Sequence, residues 1–227
     1  MSGNNQNYRR PVQLVPSERF SNKLVSSGRG FVRCASACGL LLLAGCIAPN
    51  PVDVDANFVT TTAFGAKGPS IVSLLPIEDG TKNASVSRHL TFLRQEINRQ
   101  LPDRRYAPTR QTWVDASVRG AAPGGESIVT PETLANLARA GKDDAVLAVR
   151  VSEWDEGQLM STRKVRFQFE AAMVAGDGTP LWSGTIQGRV KAGGAGAAPI
   201  GREAMARSCV ELAVQQLLLQ LPDRSVR

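Results

Sequence analysis

The chain has 227 residues, with 27 Lys and Arg against 20 Asp and Glu, a net charge of +7 and a pI near 9.7. A surplus of that size first suggests a nucleic-acid partner. Six of the basic residues and one of the acidic ones fall in the first 45 positions, which leaves 21 against 19 in the remainder, with no basic stripe of interleaved aromatics; this argues against a nucleic-acid-binding face.

Arg29 and Arg33 precede an apolar run from Cys34 to Ala48. A positive segment, a short apolar core and small residues at a cut site describe a secretory signal peptide, here residues 1–45. The run is too short for a transmembrane helix, which needs about 20 apolar residues. Leu43-Ala44-Gly45-Cys46 closes the run and resembles a bacterial lipobox. The resemblance implies cleavage before Cys46, a diacylglycerol thioether on its sulfur and acylation of the new amine, with palmitate among the chains. A plain secretory signal cut elsewhere is the alternative reading. Each buried methylene contributes about 0.8 kcal/mol, so two or three chains hold a protein firmly on a membrane. Ile47, rather than Asp, follows the Cys, which in such lipoproteins implies transfer to the outer membrane, facing the periplasm. The leader is long and carries Pro11 and Pro16; translation starting near Val25 would give a signal of ordinary length.

Four cysteines in an exported chain suggest disulfides. Cys34 and Cys38 lie in the signal and Cys46 takes lipid, so Cys209 is the one remaining thiol and no intramolecular disulfide is expected. Its apolar helical surroundings mark it as a buried, inert thiol.

Residues 46–69 read as the lipidated Cys and a flexible tether: Pro49, Pro51, Pro69, Asn50, Asn57 and three consecutive Thr leave no sustained period. Such a tether spans about 25–30 Å as a coil and at most about 75 Å extended. Phe58, Val59 and Phe64 are apolar enough to dock on the domain or on a neighbour. Residues 70–221 form one domain, and 222–227 a polar tail. Ile71–Leu75, stopped by Pro76, is a first buried strand. Val86, Leu90, Leu93, Ile97 and Leu101 line one face of a helix that Pro102 ends. Tyr106–Val118 is ambiguous, a short strand followed by a turn of helix around Trp113.

After the loop Gly120–Gly125, Thr130 is the N-cap and Pro131 the first residue of a helix with Leu134, Leu137 and Ala138 on its apolar face and Gly141 at its end. Ala145–Val151 reads as a central strand. Arg163–Met173 alternates cleanly: Val165, Phe167, Phe169, Ala171 and Met173 against Lys164, Arg166, Gln168 and Glu170. Gly176-Asp177-Gly178 turns the chain into a return strand, Leu181–Val190, with Trp182 as a large core or interface residue. Lys191–Pro199 is a loop and Arg202–Leu221 a helix. The expected fold is α+β: a mixed sheet of about four to five strands covered by about three helices.

Leu75-Pro76-Ile77-Glu78-Asp79-Gly80-Thr81 after the first strand resembles the opening motif of a periplasmic lipoprotein superfamily. That group includes the curli-secretion lipoprotein, LpoB-type activators of penicillin-binding proteins and the Pel polysaccharide lipoprotein PelC, and it is similar to the N-terminal domain of TolB. Asp144–Trp154, Arg163–Met173 and Gly178–Trp182 fit its later strands and hairpin, so the resemblance spans most of 70–221. It implies a TolB-N-terminal-like fold, envelope protein partners and homo-oligomers. No long lipid-facing hairpin of the curli-secretion kind is seen, because Lys164, Arg166 and Glu170 occupy the second face of the one hairpin of sufficient length.

Catalytic chemistry finds few residues. His89, the single His, flanks the first helix's apolar face and reads as structural or surface, with no nucleophile nearby. One His and one free Cys make no zinc set. Glu78 with Asp79 and Asp143 with Asp144 read as turn chemistry rather than calcium ligands. Glu153, Asp155 and Glu156 near Trp154 read first as a solvated strand end and second as a partner-facing patch. Gly193–Gly196 lacks the Lys-Ser/Thr of a phosphate loop. No cofactor, metal or catalytic residue is assigned. The expectation is a non-enzymatic, outer-membrane-anchored lipoprotein acting in assembly or docking, with a periplasmic small-ligand or lipid-binding transport auxiliary as the alternative.

Overall fold

A computed structural model describes residues 52–81, 83–121, 131–140, 143–193 and 201–224. The lipobox residues Leu43, Ala44, Gly45 and Cys46, the whole signal, the cap Thr130 and the helix-ending Gly141 lie outside the described residues.

Among the described residues the chain forms seven strands: β1 Val52–Thr60, β2 Ile71–Leu74, β3 Glu78–Asp79, β4 Ala107–Pro108, β5 Ala145–Asp155, β6 Lys164–Ala175 and β7 Pro180–Lys191. Six helices accompany them: α1 Thr62–Lys67, α2 Ala84–Gln100, α3 Gln111–Ala121, α4 Pro131–Ala140, α5 Leu159–Thr162 and α6 Arg202–Leu219. The sheet order is β1-β7-β6-β5-β2-β4, with β3 also on β5. β1, β7, β6 and β5 run antiparallel, while β2 and β3 pair parallel with β5, and β4 with β2. The expected mixed α+β class holds, with more strands and helices than the sequence suggests.

Both faces of the β2–β5 region are covered. On one, α2 presents Val86, Leu93 and Ile97, and α6 presents Cys209, Val210, Ala213, Val214 and Leu217. The alternation in β6 turns Val165, Phe167, Phe169, Ala171 and Met173 to this core, as the period-two reading requires. On the other face, Val114 of α3 with Leu134, Leu137 and Ala138 of α4 pack on Leu75, Val146, Ala148 and Val174. Pro102 stops α2 as expected: a 3-10 turn, Leu101–Arg104, follows, closed by Arg105 at φ 64°. The ambiguous 106–118 segment resolves into the two residues of β4 and the three turns of α3.

The tether reading is corrected over residues 52–67. β1 pairs with β7 along its whole length, from Val52 opposite Val190 to Thr60 opposite Trp182. Val52, Val54, Ala56 and Phe58 all turn to the core side, and Asp53, Asp55 and Asn57 to solvent. The physical reason lies in β7. Gly184 and Gly188 leave room where β1 approaches; a Cβ on Gly184 would come within 2.0 Å of the Asn57 carbonyl oxygen, and one on Gly188 within 2.2 Å of the Asp53 carbonyl oxygen. Into the first gap Phe58 lays its ring on Trp182, centroids 4.4 Å apart and planes 3° from parallel. The Trp182 indole N–H donates to the Gln220 carbonyl at 3.0 Å, so one buried ring joins β1, β7 and the end of α6. Thr61 then donates to the Pro180 carbonyl at 2.8 Å, and Lys67 of α1 pairs with Asp177 in the β6–β7 turn at 2.5 Å.

Candidate functional site

One end of the sheet gathers the start of β1, the end of β5, α5, the start of β6, the end of β7 and the first turns of α2 and α6. Its centre is Glu156. A bulge in β5 between Val151 and Glu153 shifts the register against β6, and the extra residue inverts which side chains face the core. Val149 and Val151 turn to the α2/α6 core before it; Trp154 does so after it, parallel to Phe169 with centroids 6.4 Å apart. Glu156 follows Trp154 inward, its side chain only 3% exposed.

The carboxylate ties three elements together. Glu156 Oε2 accepts from Arg88 of α2 at 2.6 Å and from Arg202 of α6 at 3.2 Å. Oε1 lies 2.6 Å from His89 Nε2 and accepts from the Trp154 indole at 3.1 Å. Burial works to raise its pKa, but the bonds from Trp154, His89 and Arg202 outweigh it and hold the carboxyl below the ordinary glutamate range. The solvated-strand-end reading is therefore corrected for Glu156, while Asp155 is exposed and Glu153 half-buried. The bulge is the cause, and alternation alone does not reveal it. His89 is buried and structural, as expected. Beside the hub opens a polar groove of about 530 Å³ bounded by Gly80, Thr81, Asn83, Asp155 and Arg202.

The remaining acidic pairs do structural work. Asp79 accepts from the Thr81 backbone N–H at 2.9 Å and hydroxyl at 2.7 Å, closing the turn after β3. Asp144 accepts from the Ser70 N–H and hydroxyl and from the Ile71 N–H, which together hold its carboxyl below the ordinary range and pin the start of β2. Asp143 accepts from the hydroxyls of Ser73 and Thr109, at the wall of a cavity of about 140 Å³ between α3, α4 and the sheet. Cys209 is buried; burial pushes its thiol up to about 12. Among the described residues no three His, Cys, Asp or Glu converge on a point that could hold a metal ion, and no helix is long and apolar enough to cross a membrane.

The face of β1, β7, β6 and β5 opposite α2 and α6 is polar. Three consecutive rows cross it: Asn57-Thr185-Glu170-Arg150, Asp55-Gln187-Gln168-Glu153 and Asp53-Arg189-Arg166-Asp155. The outer edge of β1 has no strand partner among the described residues. Sequence reasoning missed this surface because it did not place β1 in the sheet; the Val52/Val54/Ala56/Phe58 alternation was the available signal.

No protein-family model matches the chain, and no curated protein matches it. Among solved structures it is similar to a lipoprotein of Neisseria meningitidis, at 19% identity over 67% of this chain and 100% of that one, with a TM-score of 0.42. It is also similar to the PelC dodecamer of Paraburkholderia phytofirmans, at 13% identity over 73% of this chain and 97% of that one, TM-score 0.42. A third is the LpoB C-terminal domain of Escherichia coli, at 14% identity over 54% and 83%, TM-score 0.37. Overlap and identity of this extent do not assign the chain to a family.

Proposed function

We propose that the chain is a lipoprotein anchored through Cys46 in the outer membrane, on its periplasmic face, and that it acts as a non-enzymatic docking component of a cell-envelope system. The observation that carries this reading is the placement of β1. Cys46 of the lipobox stands six positions before Val52, and β1 is the edge strand of the sheet, with no strand beyond it and no helix over its polar face among the described residues. A strand edge with free backbone groups is a template for another chain, and alternating side chains give it specificity. Asp53, Asp55 and Asn57 keep that edge from pairing indiscriminately. The superfamily resemblance of Leu75–Thr81 implies secretion, polysaccharide export or wall-synthase activation as the process, with homo-oligomers as the working state. The small-ligand alternative is served less well: the cavity under α3 and α4 measures only about 140 Å³, and the groove of about 530 Å³ beside Glu156, though large enough, is open and lined mainly by polar groups where such sites are mostly apolar and enclosed.

The test is growth on labelled palmitate with the natural chain and with Cys46→Ala. Label and outer-membrane fractionation in the first, and neither in the second, are the expected results. Unlabelled natural protein would overturn the reading. Light scattering on the Cys46→Ala protein then distinguishes oligomer from monomer.

A further inference from the structure

The end of the sheet where β1 begins carries charges whose arrangement costs stability. Val52, Val190 and Val165 stand in register there. On the polar face beside them, Lys164 lies directly opposite Lys191, and Arg166 opposite Arg189. Like charges opposed across a ladder are unfavourable, and here two such pairs follow each other. Counter-charge is partial. Glu153 and Asp155 meet Arg166 at 2.6 and 3.8 Å, and Asp53 is the register partner of Arg189. Arg163, Lys164 and Lys191 are exposed, and no ion pair among the described residues engages them. Arg163 follows α5, where Leu159 is fully buried and its neighbour Met160 is 62% exposed. Exposed cations without ion pairs together with an exposed apolar side chain three residues before the first of them are the composition of a surface that rests on lipid headgroups.

We propose that this end of the sheet lies against the bilayer that holds Cys46, with Arg163, Lys164, Arg189 and Lys191 facing anionic phospholipid headgroups and Met160 entering the interface. The inference rests on the lipidation of Cys46. Chain length brings the two surfaces together: six residues from Cys46 to Val52 reach at most about 20 Å. That reach cannot grow without unzipping β1 from β7, to which it is paired from Val52 to Thr60. Charge complementarity then selects the orientation, each cation near an anionic surface favouring contact by about fivefold.

The experiment uses the processed, acylated full-length protein, with the acyl mass on Cys46 measured first. It is reconstituted into vesicles of phosphatidylethanolamine with phosphatidylglycerol, and separately into pure phosphatidylcholine. Amine acylation of Lys164 and Lys191 and peroxide oxidation of Met160 are followed by peptide mass mapping. Modification is expected to be about tenfold slower or more on the anionic vesicles, with the difference removed by high salt. The variant Lys164→Gln/Lys191→Gln changes only exposed positions; it is expected to stay anchored while Met160 oxidises at the phosphatidylcholine rate. Equal modification on both vesicles with the acyl mass present overturns the inference and leaves the anchor reading standing. Protection that is independent of lipid charge and rises with protein density means a second copy covers this end, and also overturns it. Absence of acyl mass removes the anchor reading and the inference together.

Discussion

Replacing Gly184 by Ala tests whether β1 belongs to the domain. The added Cβ would sit 2.0 Å from the Asn57 carbonyl oxygen, 2.6 Å from Phe58 Cα and 2.8 Å from Phe58 Cδ1. Two of those three atoms are backbone, so no rotamer change relieves the clash and β1 itself must move. Overpacking of this kind costs about 1–3 kcal/mol, and displacing Phe58 from its stack on Trp182 adds about 0.5–1.5 kcal/mol. A total of about 1.5–4.5 kcal/mol corresponds to a fall in Tm of about 3–18 °C for a domain of this size. Because β1 is an edge strand, the loss should appear first as local opening. Hydrogen exchange on residues 52–60 should accelerate well before the core of β5 and β6 is affected. Thr185→Ala, one position along on the exposed face, is the control and should change stability by no more than about 0.5 kcal/mol. A Gly184→Ala protein with the natural Tm and slow exchange across 52–60 would refute the pairing and restore the tether.

Three further expectations follow from buried groups. Glu156→Gln should cost about 2–3 kcal/mol, less than a fully buried pair because Arg88 and Arg202 are half exposed and can turn to water. Since folding holds the Glu156 pKa below its unfolded value, this contribution is complete above the unfolded glutamate pKa and fades as pH falls through the folded one. Denaturant titrations of the two proteins should therefore converge in acid; a gap that widens there would contradict the assignment. Cys209, with its thiol pushed up to about 12, should resist a disulfide reagent at pH 8 and react only as fast as the chain unfolds, and immediate stoichiometric reaction would place it at the surface. Tyr106 donates to the Pro222 carbonyl at 2.7 Å, and burial pushes its phenol up to about 12, so Tyr106→Phe should lose about 1 kcal/mol by thermal melting and remove a tyrosine that ionises later than a free one.

What the residues disclosed in advance depended on how far each signal reached. β6 was legible because five apolar residues alternate with four polar ones over a single strand, and α2 because Val86, Leu93 and Ile97 repeat at helical spacing up to a proline. β1 was not, although it alternates as well. Pro49, Pro51 and the Thr60–Thr62 run set the local composition of a linker, and the partner that makes β1 a strand lies more than 120 residues away in Gly184 and Gly188. The role of Glu156 was hidden for a related reason. Its inward direction follows from a bulge, and bulges arise from pairing geometry rather than from the local pattern. In both, long-range register overrides what neighbouring residues suggest.

The pairing of β1 changes what the proposed anchor could do. A free stretch of 23 residues would let the domain wander tens of ångströms from the lipid and meet a partner at any orientation. With β1 zipped into the sheet from Val52 onward, only five residues would separate Cys46, if it carries lipid as proposed, from the sheet. The domain would then be confined to the membrane surface, and its contacts with other proteins limited to components that reach that surface. The same confinement raises the local concentration of neighbouring copies and makes weak lateral contacts sufficient for assembly. On the proposed orientation the end bearing Lys164 and Lys191 would turn toward lipid, and the edge of β1 and the rows from Asn57 to Arg150, which have no strand or helix over them among the described residues, would be left for a protein partner. Gly184→Ala therefore probes function as well as fold. Releasing β1 would return the long tether, and docking should weaken even though every residue of the polar face on β5, β6 and β7 is intact.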